Sequence, residues 1–131
     1  MTREGPLWLV LVAVGAGAVL GAWLRWWLGY WLNARFEILP VGTLAANLGG
    51  AFVIGAVLAY LAVHPAVGPF WRLLLVTGFL GGLTTFSTFS AESLHMLLAG
   101  EWIRALLHST VHVVGSLAAA ALGMASVRWL A

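Results

Sequence analysis

The sequence predicts an all-α membrane protein with four transmembrane helices, the third of them broken near its middle. Three observations carry that expectation. Hydrophobic residues make up 63% of the 131 residues and charged ones only 8%, against about a quarter charged in a typical soluble domain. Four apolar segments, each longer than the ~20 residues a helix needs to cross a bilayer, fill most of the chain. Within the third, the stretch from Gly78 to Ser90 crowds together three glycines, three threonines and two serines.

A single membrane domain over residues 1–131 accommodates helices at approximately 7–32, 39–63, 70–98 and 102–130. No length remains for a soluble catalytic domain. Cysteine is absent, which excludes disulfides and thiolate metal sites. The six arginines against four carboxylates reflect scarce charge rather than a basic patch, so nucleic acid is not an expected partner.

The first segment opens like a signal peptide, with Arg3, an apolar run and a small-residue cluster at Ala16-Gly17-Ala18. Its apolar run continues to Trp27 and Glu4 offsets Arg3, so an uncleaved helix is expected. Gly17 and Gly21 form a GxxxG pair that permits close helix contact. Trp23, Trp26, Trp27, Tyr30 and Trp31 crowd its far end as an interfacial aromatic belt. Arg25 sits among them and either snorkels to the headgroups or serves a site.

A polar turn, Asn33 to Glu37, leads to Pro40, a good first helical residue. In the second segment Gly42, Ala46 and Gly50 recur every four residues and make one thin packing face. Thr43 and Asn47, also four apart, lie beside it on one surface. An amide inside an apolar span is either interhelical glue or meets something polar. His64 to Pro69 reads as a turn with His64 in solvent, and Trp71 and Arg72 as an interface.

In the third segment, Gly81-Gly82 loosens the helix and the neighbouring hydroxyls can capture the carbonyls it frees. Broken helices at membrane depth survive only beside protein or a water-filled cavity. The stretch therefore reads as a discontinuous helix lining a transport site; the plainer reading is a packing face carrying back-bonded hydroxyls. Phe86 and Phe89 are three apart. They are either core residues or rings whose positive edges face an anion. Glu92 has no easy route to water, which marks it as a functional candidate, and His95, three residues on, can pair with it.

Ala99-Gly100-Glu101 turns the chain into the fourth segment. There His108, His112 and Ser116 repeat every four residues, with Ser109 alongside. Two histidines four apart can hold zinc, but with no cysteine and no carboxylate nearby in sequence a stripe facing a polar cavity explains them better. Arg3, Arg72 and Arg128 fall on one side of the membrane, and Arg25, Arg35 and Arg104 on the other. Such a balance does not fix orientation, so the chain is expected to insert both ways and pair as an antiparallel homodimer.

Enzyme chemistry does not assemble from these residues: no nucleophile has an oriented base at a supporting spacing. What remains is a set of uncharged donors, which can replace an anion's hydration without trapping it.

The run from Gly81 to Ser90 followed by Glu92, the set Thr43, Asn47 and Gly50, and the Gly21–Arg25 pair together resemble the Fluc (CrcB) family of fluoride channels. The resemblance covers all four segments. It implies an antiparallel, dual-topology dimer with two fluoride pores in a prokaryotic plasma membrane, exporting fluoride passively. Carried over by motif, Thr43 and Asn47 would line a pore with Phe86 and Phe89, and Ser87 and Thr88 would add hydroxyls. The carbonyls of Gly81 and Thr84 would hold a structural sodium ion at the dimer interface. Arg25 would lie near a vestibule and Glu92 near the pore. The fourth segment departs from the family pattern, with His108 and His112 where a tyrosine and a serine are usual. The alternative is a small dual-topology multidrug transporter, which needs a glutamate in its first helix that this chain lacks.

Overall fold

The computed structural model describes residues 5–36 and 39–130. Arg3, Glu4 and Glu37, which entered the charge tally and the first turn, lie outside the described residues. The elements in order are α1 (Leu7–Leu32), a short 3-10 turn (Asn33–Arg35), α2 (Val41–Val63), α3 (residues 69–83), α4 (Phe86–Leu98) and α5 (Trp102–Leu130). Helices α3 and α4 together form one interrupted span. Among the described residues, four spans are long and apolar enough to cross a membrane: Leu7–Arg35, Val41–Val63, Pro69–Leu98 and Trp102–Leu130. Each sequence-derived boundary lies within two residues of an observed one. Pro40 precedes the second helix rather than opening it.

Glycine sets how these helices pack. A Cβ on Gly17 would land on the Leu74 carbonyl oxygen, and one on Gly21 on the Phe79 carbonyl oxygen. From the facing helix, Gly78 and Gly82 meet the carbonyls of Val14 and Ala18 in the same way. Two GxxxG pairs thus interlock, backbone against backbone, where α1 crosses α3. The turns of α3 that receive this contact, Leu73–Leu80, are wound in the wider π register. Helix α2 joins α5 by the same means: Gly55 abuts the Ala120 carbonyl and Gly123 the Phe52 carbonyl.

The interior is correspondingly made of small residues. Among the described residues four of the seven buried apolar side chains are alanine (Ala13, Ala46, Ala59, Ala105), and the largest fully buried side chain is that of His108. Large apolar groups face outward instead. Exposed tryptophans mark both ends of the bundle: Trp8, Trp71 and Trp129 at one, Trp23, Trp26 and Trp102 at the other, as in interfacial belts. His64 is exposed in its turn and stacks on Tyr60. At the other end Gly100, at φ 77°, makes the turn between α4 and α5.

Replacing Gly55 or Gly123 with valine forces two backbones apart. It should cost about 1–3 kcal/mol, the range for overpacked interiors, read as a lower thermal midpoint in detergent. Gly15→Ala enters open space and should be neutral or slightly stabilising, since alanine is the better helix former.

Candidate functional site

The break lies at Thr84 and Thr85, whose backbones are extended (φ −80°, ψ 151° and φ −148°, ψ 116°). Gly81 and Gly82, the residues expected to interrupt the helix, remain helical just before it. Several of the backbone groups freed here take defined partners. The Thr85 N–H, which in a continuous helix would reach the Gly81 carbonyl, donates to Asn47 Oδ1 at 2.7 Å. Asn47 Nδ2 donates back to the Thr85 carbonyl at 3.0 Å. Arg25 Nε donates to the Gly82 carbonyl at 3.0 Å, where the Phe86 N–H would otherwise bind. Thr84 donates its hydroxyl to the Leu80 carbonyl.

Helix α4 then starts on a side-chain cap: Thr85 Oγ1 accepts from the Thr88 N–H at 3.1 Å and donates to Thr88 Oγ1 at 3.0 Å. Ser87 Oγ lies 3.2 Å from the same Thr85 hydroxyl. A threonine three residues ahead of a helical N–H is a recognisable N-cap, and this signal could have located the break from sequence. The capping takes the Thr88 N–H away from the Thr84 carbonyl. Gly81 and Thr84 thus each lose the helical donor of their carbonyl, and both line an open cleft of about 550 Å³.

That cleft is also lined by Asn47, Phe86, Phe89, His112 and Ser116. Ser87 and Thr88 are not on its wall; they belong to the cap. Phe86 is 79% exposed, so it fills no core of a single chain. Its ring centroid lies 5.5 Å from that of Phe89. Phe89 in turn stacks on His108 at 5.4 Å and tilts against His112 at 4.9 Å.

Beyond the phenylalanines a chain of polar groups runs to the end of the bundle. Thr43 donates its hydroxyl to Glu92 Oε1 at 2.6 Å. His108 Nε2 lies 3.2 Å from Glu92 Oε2, and His108 Nδ1 lies 3.0 Å from Ser93 Oγ. His112 Nδ1 donates to the His108 carbonyl at 3.1 Å. Glu92 and His95 both border a second pocket of about 390 Å³ at the chain end, with Glu101 and Arg104. Glu92 therefore links the polar mouth to the cleft. Its two oxygens are taken by Thr43 and His108 rather than by His95. Ser93 was missed in sequence, being one more hydroxyl in a hydroxyl-rich helix.

The arrangement brings together Thr43, Asn47, Phe86, Phe89, Glu92, His108, His112 and Ser116. It also places Arg25 against the break itself. These are hydrogen-bonding groups and aromatic edges; Ser93, His108 and Glu92 do fall in one hydrogen-bonded line, but Ser93 and His108 border neither the cleft nor the second pocket.

The family model described as CrcB-like protein, Camphor Resistance (CrcB), matches residues 12–124. A "Fluoride-specific ion channel FluC" of Aromatoleum aromaticum is 60% identical over 115 residues, 88% of each chain. Proteins of the same name from Cupriavidus pinatubonensis and Chromohalobacter salexigens are 55% identical over 127 residues and 60% identical over 120. The first of these two alignments covers 97% of this chain and 99% of the relative, the second 92% and 91%. With matches of this extent, the chain belongs to the CrcB family.

Proposed function

We propose that this chain is a fluoride-selective channel of the bacterial plasma membrane, letting fluoride leave the cytoplasm down its electrochemical gradient. The observation that carries the reading is the break at Thr84-Thr85, which opens beside Phe86 and Phe89 onto a cleft at membrane depth. An anion entering such a cleft must exchange water for other donors. The ring edges supply partial positive charge, and the hydroxyl of Ser116 and the second N–H of Asn47 supply hydrogen bonds. None is a fixed cation, so the ion is not trapped. The bare carboxylate of Glu92 would repel an anion, but Thr43 and His108 engage both of its oxygens. Chemistry on the ion is not required, and the protein is a channel rather than an enzyme.

The working unit in this reading is an antiparallel homodimer inserted in both orientations and embedded in lipid. The cleft is open on one side, and a second copy lying across it would enclose the path. The same pairing bears on sodium. The carbonyls of Gly81 and Thr84 are oxygen donors without their helical N–H partners, a set that fits a hard cation. Two oxygens fall short of the six or so that hard cations take, and two copies would double them. Sodium held there would tie the two broken helices together and neutralise the carbonyl dipoles.

Purified protein in liposomes should pass fluoride, exclude chloride and leave a lipophilic cation unmoved. Phe86→Ile and Phe89→Ile should each slow fluoride efflux about tenfold or more, equivalent to ~1.4 kcal/mol or more at the barrier, while dimers still form. Wild-type flux in a well-folded double isoleucine variant would return both rings to packing. Asn47 is the poorer probe, because its amide also holds the Thr85 backbone.

Exchanging sodium for a bulky organic cation should lower dimer stability or conduction. Equal behaviour after exhaustive exchange would remove the ion from the account. Two lysines added to the turn after Leu32 should force one topology and silence that variant expressed alone. Full activity from a protein of strictly single topology would argue against the antiparallel dimer.

A further inference from the structure

We propose that Glu92, His108 and His112 form a binding site for zinc, or another first-row divalent ion that prefers imidazole, and that the ion bound there plugs the fluoride path. The plugging rests on the channel reading above; the binding does not. One ligand atom from each residue falls within 4.8 Å of the other two. Tetrahedral zinc with bonds of about 2.0–2.1 Å holds its ligand atoms about 3.3 Å apart. The Glu92 Oε2 to His108 Nε2 separation of 3.2 Å already meets that spacing.

The nitrogen that His112 has available is Nε2. It is buried, within a residue only 5% exposed, and has no hydrogen-bond partner among the described residues. Because a carbonyl only accepts, His112 Nδ1 carries the hydrogen that goes to the His108 carbonyl. The Nε2 of the neutral ring is then a bare lone pair. A Glu92–His108 pair kept only for structure would leave that nitrogen unexplained.

The surroundings of the three ligands resemble those of a metal centre. Metal-binding histidines usually give their other ring nitrogen to an oxygen, and bound carboxylates are hydrogen-bonded in turn. Here His112 has the His108 carbonyl, His108 has Ser93 Oγ, and Glu92 has the Thr43 hydroxyl. The Ser93 hydroxyl can accept as well as donate, so His108 can move its hydrogen to Nδ1 and free Nε2 for the ion. His112 also lines the cleft, which provides an entry and leaves a fourth position for water. Two histidines and one glutamate with an open position is a known zinc set.

The test uses the purified full-length protein, with zinc chloride or cobalt chloride as probes. Cobalt should give the visible absorption of a four-coordinate site at one ion per protomer. Zinc-edge X-ray absorption on wild type should count two imidazoles per zinc. His112→Ala should weaken zinc binding by about 100-fold or more. In liposomes zinc should reduce fluoride efflux towards the protein-free leak, reversed by chelator and retained in His64→Gln. In His112→Ala, whatever its own flux, the ratio with and without zinc should rise towards one. Fewer than two imidazoles per zinc, or no stoichiometric binding, overturns the site even if no variant folds. Binding without block overturns the plug. A wild type that moves no fluoride would defeat the channel reading while the spectra still judge the site.

Discussion

The two hydrogen bonds between the Asn47 side chain and the Thr85 backbone are the constraint from which the rest of the site follows. A helix cannot be opened in hydrocarbon unless its loosened amides and carbonyls find partners. A primary amide is suited to this task, since one side chain offers a donor and an acceptor to one peptide residue. With Thr85 held from α2, its hydroxyl can cap α4, and α4 can leave the line of α3. Arg25 performs the matching service for the Gly82 carbonyl from α1. The break is therefore built by three helices, and the Gly81 and Thr84 carbonyls, without their helical donors, lie beside the cleft.

Such cross-bracing needs helices that lie very close together. Asn47 reaches the chain at Thr85 because Gly50, one turn further on, seats the Thr84 methyl directly against the α2 backbone. The interlocked glycines of α1 and α3 do the same for Arg25. In lipid the hydrophobic effect does not press helices together, so backbone-to-backbone contact and side-chain hydrogen bonds carry more of the association. That accounts for an interior of alanine and glycine with tryptophan on the outside, the reverse of a soluble core. It also explains why, among the described residues, the bulky side chain buried completely is a histidine with polar partners.

Much of this was legible in sequence. Span lengths follow from hydropathy, and the Gly17–Gly21 repeat announced a close helix contact, though not with which helix. The Gly78–Ser90 stretch flagged the interruption, although the glycines themselves stay helical and the hydroxyl residues after them carry it. Glycine only lowers the cost of leaving a helix; Thr85 gains a cap by doing so, and the cap decides the position. The π winding of Leu73–Leu80 had no local signal, because it is settled between two helices. Nor could the sequence show what Glu92 meets. Its partners Thr43 and His108 lie in two other helices, and helix rotation decides which face each presents. For the same reason the histidine stripe looked short of a third metal ligand until α4 supplied one.

The histidines change the character of the path. Serine and tyrosine hydroxyls would offer weak, rotatable donors. Imidazoles four apart, one stacked on Phe89 and the other tilted against both rings, offer fixed nitrogens in a confined space. Their packing on Phe89 ties the aromatic edge facing the cleft to the carboxylate network behind it. A rearrangement at Glu92 would then reach the ring through two contacts, Glu92 to His108 and His108 to Phe89. Coupling of that kind requires no large motion, only that His108 cannot shift without moving the aromatic face against it. In the proposed channel, where the ion would meet edges rather than charges, a small ring displacement would change the donor set directly.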